Sequence, residues 1–352
     1  MRFRRTFLAT LAAGTSSLAG CVSTGDDDGP EHAEPERELW SFQADGRVST
    51  TPAVVDGRVY VGSNDTNIYA LDAADGEEHW HFETGGEVWS DPVIEGDTLY
   101  AGSRDSRIYG LALDGTERWT YETEGSVWAS PAVRDGRIFV GSGDILYVLA
   151  TDVGEREWDL ATGGSILSAP TITDDRVYVG SNDSYLYAVD RADRDLAWRY
   201  ETGEHVSTTP ALHEELLLFG STDRRFYGVD RRTGSELWSY GTDGGISSSP
   251  TVHRGSVYFG NWRMRVHALD VGTGDQEWRV TLNGRINGSP TIIDDVLYIG
   301  DSSGIVHALD PDTGETHWQF ETGNAVNASP TIVDDVAYIA SNDGHVYALD
   351  IT

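Results

Sequence analysis

One spacing constrains this chain more than any other. Tryptophans stand at Trp40, Trp80, Trp119, Trp158, Trp198, Trp238, Trp278 and Trp318, and a proline follows each of them twelve residues later, from Pro52 to Pro330. The period is 39 or 40 residues and the unit occurs eight times. Self-similarity at such a period means stacked or radial repeats, in which one unit cannot bury its apolar face alone. The eleven positions Ala308–Trp318 (ALDPDTGETHW) recur at Ala70–Trp80, Gly228–Trp238 and Ala268–Trp278, with a degraded copy at Ala188–Trp198.

Within a unit the pattern is β throughout. In the seventh, Pro290–Ile293, Val296–Gly300, Ile305–Asp310 and Trp318–Phe320 are short runs rich in β-branched and aromatic residues. Asp294-Asp295, Asp301–Gly304 and Asp310–Gly314 are turn chemistry between them. Helical periodicity is missing, which argues against an α-solenoid. Four antiparallel strands per 40 residues make a propeller blade. The expected fold is therefore all-β: an eight-bladed β-propeller over 38–352. The chain ends at Ala348–Thr352, partway through the motif, and Arg37–Trp40 supplies the missing half. We expect Trp40–Phe42 to pair as the outer strand of the last blade and close the ring, removing exposed edges.

The repeat resembles the PQQ-type β-propeller repeat, with its tryptophan-docking motif of Ala, Asp, Gly and Trp. The resemblance covers 38–352. It implies that the eight tryptophans pack between neighbouring blades, each burial contributing on the order of 2–3 kcal/mol. The unit before Trp119 is one residue short, and Ala150 replaces the motif aspartate in the third.

The N-terminal region reads differently. Residues 1–20 carry Arg2, Arg4 and Arg5, then an apolar run from Phe7 to Ala13, the layout of a secretory signal. Arg4–Leu8 resembles a twin-arginine export signal, and Leu18–Cys21 resembles a lipobox, which implies lipidation of Cys21. The apolar run is too short to span a bilayer. Residues 21–37 then form an acidic, apolar-poor tether. Together these place the propeller on the extracytoplasmic face of the cell membrane, lipid-anchored.

The formal net charge is -33, and all 25 basic residues are arginine. Such acidity argues against nucleic acid as a partner. It suits solvation in high salt, and we read the source as halophilic. Cys21 is the single cysteine, so no intrachain disulfide forms.

Candidate site residues come from departures in the repeat. The residues three before each proline are expected at one axial mouth. Trp89, Trp128 and Leu167 occupy three adjacent units there; the rest have Ser or Asn, including Asn287 and Asn327. The residues two before are all small, which crowding at the axis would explain. Trp262 replaces a turn residue at a loop tip and is a candidate rim contact.

Quinoprotein dehydrogenases share this repeat, and that resemblance would imply PQQ and calcium near the axis. It would also carry over a vicinal cysteine pair, which is absent here, and only Asn287 and Asn327 remain as ligand candidates. His267, His307 and His345 fall in roughly equivalent third-strand positions and read as structural; no HExxH or GxSxG motif occurs. The recurrent motif aspartates, such as Asp310, read as turn caps. The non-catalytic branch of the family is the BamB-like lipoproteins. We therefore expect no catalytic residues, no metal and no cofactor. We expect a monomeric protein-interaction scaffold for an unidentified envelope protein; a PQQ-binding oxidoreductase is the alternative.

Overall fold

Each blade is built by its turns. In the first, Asp56 (φ 49°) and Gly57 (φ 72°) both adopt the left-handed region between the inner and second strands. That is the two-residue hairpin geometry whose twist matches the strands it joins. Asp294-Asp295 and Asp334-Asp335 do the same job in the seventh and eighth blades without glycine. The computed structural model describes residues 37–352; the signal-like segment 1–20, Cys21 and the tether up to residue 36 lie outside the described residues.

The described residues form eight four-stranded antiparallel sheets and no helix. Blade 7 shows the pattern: inner strand Thr291–Ile293, second Val296–Gly300, third Ile305–Leu309 and outer Thr316–Glu321. Blades 1 to 6 begin with inner strands at Ala53, Val93, Ala132, Thr171, Ala211 and Thr251. Blade 8 is composite. Thr331–Val333, Val336–Ala340 and His345–Asp350 are completed by Glu38–Gln43, with Trp40 opposite Ala348 and Phe42 opposite Val346. The closure expected from the two chain ends is the one observed.

Second and third strands are buried on both faces, because every blade is covered by a neighbour on each side. The core is accordingly divided into layers between blades. One layer joins Tyr298, Val306 and Trp318 of blade 7 to Ile339 and Leu349 of blade 8. Another joins Trp40 and Tyr338 of blade 8 to Val59 and Leu71 of blade 1.

The docking tryptophans hold these layers. Trp40 of blade 8 lies on Gly76 of blade 1, so closely that a Cβ at Gly76 would come within 2.5 Å of the indole ring. Its Nε1–H donates to the Ala73 carbonyl at 3.0 Å. Trp80, Trp119, Trp198, Trp238 and Trp278 likewise sit on Gly115, Gly154, Gly234, Gly274 and Gly314, although the Trp238 Nε1–H finds no partner among the described residues. These glycines also have positive φ, so both space and conformation require them. The one-residue deletion before Trp119 and the substitution at Ala150 leave their seats intact.

Two junctions differ. Trp318 faces the end of the chain, and Arg37 stacks on its ring at 4.4 Å while donating to the Asp350 carbonyl. At blades 3 and 4, Arg194 (φ 59°) replaces the seat glycine. Trp158 makes no Nε1–H bond there among the described residues. A cavity of about 260 Å³ opens between Phe139, Trp158, Arg191 and Arg194. This junction is bridged instead by ion pairs, Arg134 with Asp174 and Arg191 with Asp135. Both aspartates are well exposed, so these pairs contribute little.

A second clamp works from the turns. Gly85 N–H donates to Asp105 of the next blade at 2.7 Å, and Tyr109 O–H donates to the same oxygen at 2.5 Å. The same trio recurs as Gly203, Asp223 and Tyr227.

These contrasts give a measurable expectation. Trp40→Ala should lower the unfolding free energy by about 3–5 kcal/mol, the usual cost of emptying a large aromatic site. Trp158→Ala should cost clearly less. Equilibrium denaturation of both variants checks it, and equal losses would contradict the seat as the source of adhesion.

Candidate functional site

The inner strands converge on the axis, and side chains alternate along the segment leading into each proline. Two rows therefore face the axis along their whole length. Three residues before the prolines, Ser49, Trp89, Trp128, Leu167, Ser207, Ser247, Asn287 and Asn327 line a single axial cavity of about 210 Å³. The structure thus brings the five expected mouth residues together.

The small row two before the prolines is split: Ser168, Gly288 and Ala328 also line the axial cavity, and others turn into their own blades. Thr50 points into its own blade, donates to the Gly62 carbonyl at 3.0 Å and accepts from the Gly62 N–H at 2.9 Å. Thr208 repeats this with Gly220. Burial inside the blade keeps Thr50 and Thr208 small, whereas crowding beside the axis keeps Gly288 bare, since a Cβ there would lie 2.7 Å from the Ala328 carbonyl oxygen of the next blade.

The axial row is the one directly before the prolines. Its backbone N–H groups donate to side chains of the next blade: Thr51 to Asp91 (2.6 Å), Asp91 to Ser130 (3.0 Å), Thr209 to Ser249 (2.9 Å) and Ser249 to Ser289 (3.0 Å). Ser289 continues to Ser329 at 3.0 Å, and Ser329 reaches Thr51 at 3.4 Å. The circuit breaks at Ala169, which has no oxygen to offer. Asp91 is the one acid in this row, and the sequence reading missed it. Its signal was available: it alone departs from Ser, Thr and Ala at that position. Burial pushes its carboxyl upward, against the Thr51 and Ser130 hydrogen bonds that favour the charged form.

The mouth has two unlike halves. Trp89 and Trp128 meet at 5.4 Å between centroids. Trp89 donates to Glu87 at 2.8 Å, Glu87 pairs with Arg104, and the Arg104 guanidinium lies 4.5 Å over Trp128. Leu167 continues this side, partly exposed. Opposite, Ser247 donates to Asn287 at 3.3 Å and Asn287 to Asn327 at 3.0 Å. Trp262 joins this half. Its ring rests on Gly245 and its Nε1–H donates to Ser247 at 2.8 Å, with 40% of the residue exposed. The three tryptophans outside the docking phase therefore share one face of the propeller.

The histidines and motif aspartates are structural. Asp310 accepts from the N–H groups of Asp312 and Thr313, both at 2.8 Å, capping its turn. His267 and His307 occupy the position that is Tyr347 in blade 8, with partners Phe259 and Ile299 matching Ile339; His345 is two residues off that register. His307 is buried against Asp301 at 2.9 Å. Burial would raise Asp301, but bonds from His307 and Ser303 outweigh it and hold the carboxyl at about 2. Burial holds His267 down at about 4.

The axial residues do not fit a quinone with calcium. Calcium takes about six to eight oxygen ligands. The cavity has one carboxylate, and no basic residue lines it to meet a quinone's carboxylates. Asn287 and Asn327 are already bonded to each other. Among the described residues, no three His, Cys, Asp or Glu side chains gather in metal-binding proximity.

Comparison with known proteins agrees with this architecture. The family model described as outer membrane protein assembly factor BamB matches residues 32–131, 114–265 and 263–352. The chain belongs to this BamB family of PQQ-type propellers. No curated protein sequence matches it. Among solved structures, BamB from Moraxella catarrhalis is 19% identical over 90% of this chain and 99% of its own, with a TM-score of 0.77. The computationally designed Ika8 protein is 17% identical over 90% and 100%, with a TM-score of 0.80. The quinohemoprotein alcohol dehydrogenase of Comamonas testosteroni is 16% identical over 89% and 76%, with a TM-score of 0.78. At these identities the likeness is one of fold. It extends to a BamB and to dehydrogenases alike.

The buried imidazole yields a pH expectation. A histidine held at about 4 when folded, against 6.5 when free, binds its proton more tightly in the unfolded chain. Its contribution is full above pH 6.5 and is lost as pH falls toward 4, by about 3 kcal/mol in all. His267→Phe should remove that part of the acid loss. Urea unfolding at pH 7.5 and pH 4 tests it: an unchanged difference between the two pH values would refute the assignment.

Proposed function

We propose that this protein is a non-catalytic interaction scaffold, tethered through Cys21 on the extracytoplasmic face of the membrane, that docks an envelope protein at its axial mouth. One observation carries the reading. Trp89, Trp128 and Trp262 occupy none of the glycine seats that fasten blade to blade, yet all three stand around one opening. Aromatic side chains beside an ordered polar edge suit protein recognition, where a few anchors supply most of the energy. The alternative, a quinoprotein oxidoreductase, is favoured only by the likeness in fold to the alcohol dehydrogenases.

The two readings separate by experiment. A photoreactive residue at position 128 should crosslink a discrete partner in native membranes, and one at position 334, in a hairpin at the opposite end of blade 8, should not. Trp89→Ala with Trp128→Ala should cut capture at least tenfold at unchanged melting temperature. Undiminished capture would remove this mouth from the interface. Stoichiometric retention of quinone after incubation with PQQ and calcium would overturn the scaffold.

A further inference from the structure

Asp91 does more than its position in the fold asks of it. The residue before each blade proline has one structural task, to accept an N–H from the preceding blade. Ser130, Ser249, Ser289 and Ser329 accomplish it with a neutral hydroxyl at 2.9–3.0 Å. Asp91 performs the same task at 2.6 Å and adds a negative charge. That charge lies where burial disfavours it. No basic side chain lines the cavity to neutralise it. The charge is relieved either by a proton on the carboxyl or by a cation from outside the chain, and a bound cation would draw the proton off.

The surroundings define the chemistry of that charge. Trp89 leads into the same blade as Asp91, and Trp128 leads into the next, so both indoles line the same cavity as the carboxylate. Indole faces attract organic cations, and the attraction strengthens away from water. Hydroxyl and amide oxygens of the opposite wall can accept N–H groups. A hard divalent metal wants several charged oxygens and finds one carboxylate. An ammonium or guanidinium group matches one carboxylate, aromatic walls and neutral acceptors. The roughly 210 Å³ available admits one such group on a slender chain.

We propose that the axial cavity is an organic-cation site, in which Asp91 is the counter-charge and Trp89 and Trp128 form the walls. This rests on the reading of the mouth as the docking face, and it names what is docked: a lysine or arginine side chain of the partner, or a free amine of the same chemistry.

Isothermal titration of the full-length protein at fixed ionic strength tests it with three probes. These are butylammonium, a capped tripeptide with central arginine, and the same tripeptide with neutral citrulline. Both cations should bind, and the citrulline peptide at least tenfold more weakly than its arginine twin. A preference for the peptide points to a partner side chain, and a preference for butylammonium to a free amine. Asp91→Ser restores the residue of the sister blades and should keep the melting temperature while weakening cation binding at least tenfold. Asp91→Asn keeps the acceptor and should lose binding equally. Cation affinity unchanged in both variants, or equal binding of arginine and citrulline peptides, would overturn the proposal. If position 128 still crosslinks a partner while no cation binds, the cation site fails and the docking mouth stands. If cations bind but no crosslink forms, the reverse holds.

Discussion

The whole ring depends on an indole lying on a bare backbone. A propeller blade is a thin sheet with two apolar faces, and by itself it can bury neither. The seat glycines let the neighbouring tryptophan approach to a distance that any side chain would forbid. At five of the six glycine seats the indole N–H then ties itself to a carbonyl of the same turn, which also fixes the angle between blades. Contact and orientation thus come from a single residue pair. Where the pair is altered, arginine steps in. Arg37 covers Trp318 at the closing blade, and a set of exposed ion pairs spans the gap at Trp158. The ring is consequently fastened unevenly, most loosely between blades 3 and 4.

Much of this was legible in the sequence, because a repeat reports the same physics eight times. The Trp–Pro interval located every blade, and the split motif at the two ends revealed how the ring closes. The mouth row was legible for the same reason. Two errors have a common cause. The proline fixes position along the strand but not which way each side chain points, so the whole small row was assigned to the axis when Thr50 and Thr208 face into their own blades. The second row that faces the axis, directly before the prolines, was overlooked, and Asp91 with it. A polar residue among polar residues gives no contrast in hydropathy; only its charge sets it apart. His345 was grouped with His267 and His307 although the 40-residue period carries His307 onto Tyr347, so that offset was readable in the sequence. Trp262 was read as a separate rim contact, and only the folded turn brings its N–H to Ser247.

The mouth is where eightfold sameness gives way. Structural demand on the axial rows is equal in all blades, so differences between blades there are not explained by the fold. Aromatic residues cluster in blades 2 and 3, with the single carboxylate between them. Amides and hydroxyls occupy the far side and bond among themselves. The result is a polarised opening in an otherwise symmetrical body, with a direction in which a bound group could be held.

The composite eighth blade carries a consequence for how the molecule forms. Its outer strand comes from the start of the described chain and its other three from the end, a separation of 313 residues between Arg37 and Asp350. During synthesis seven blades can stack as an open arc, each gaining from its neighbour. Through that interval the arc has two raw ends, one of them a free strand awaiting its sheet. Loop closure over such a distance is slow to find and late to reward. The finished circle therefore owes its permanence to the last event in its assembly, when the oldest strand meets the newest.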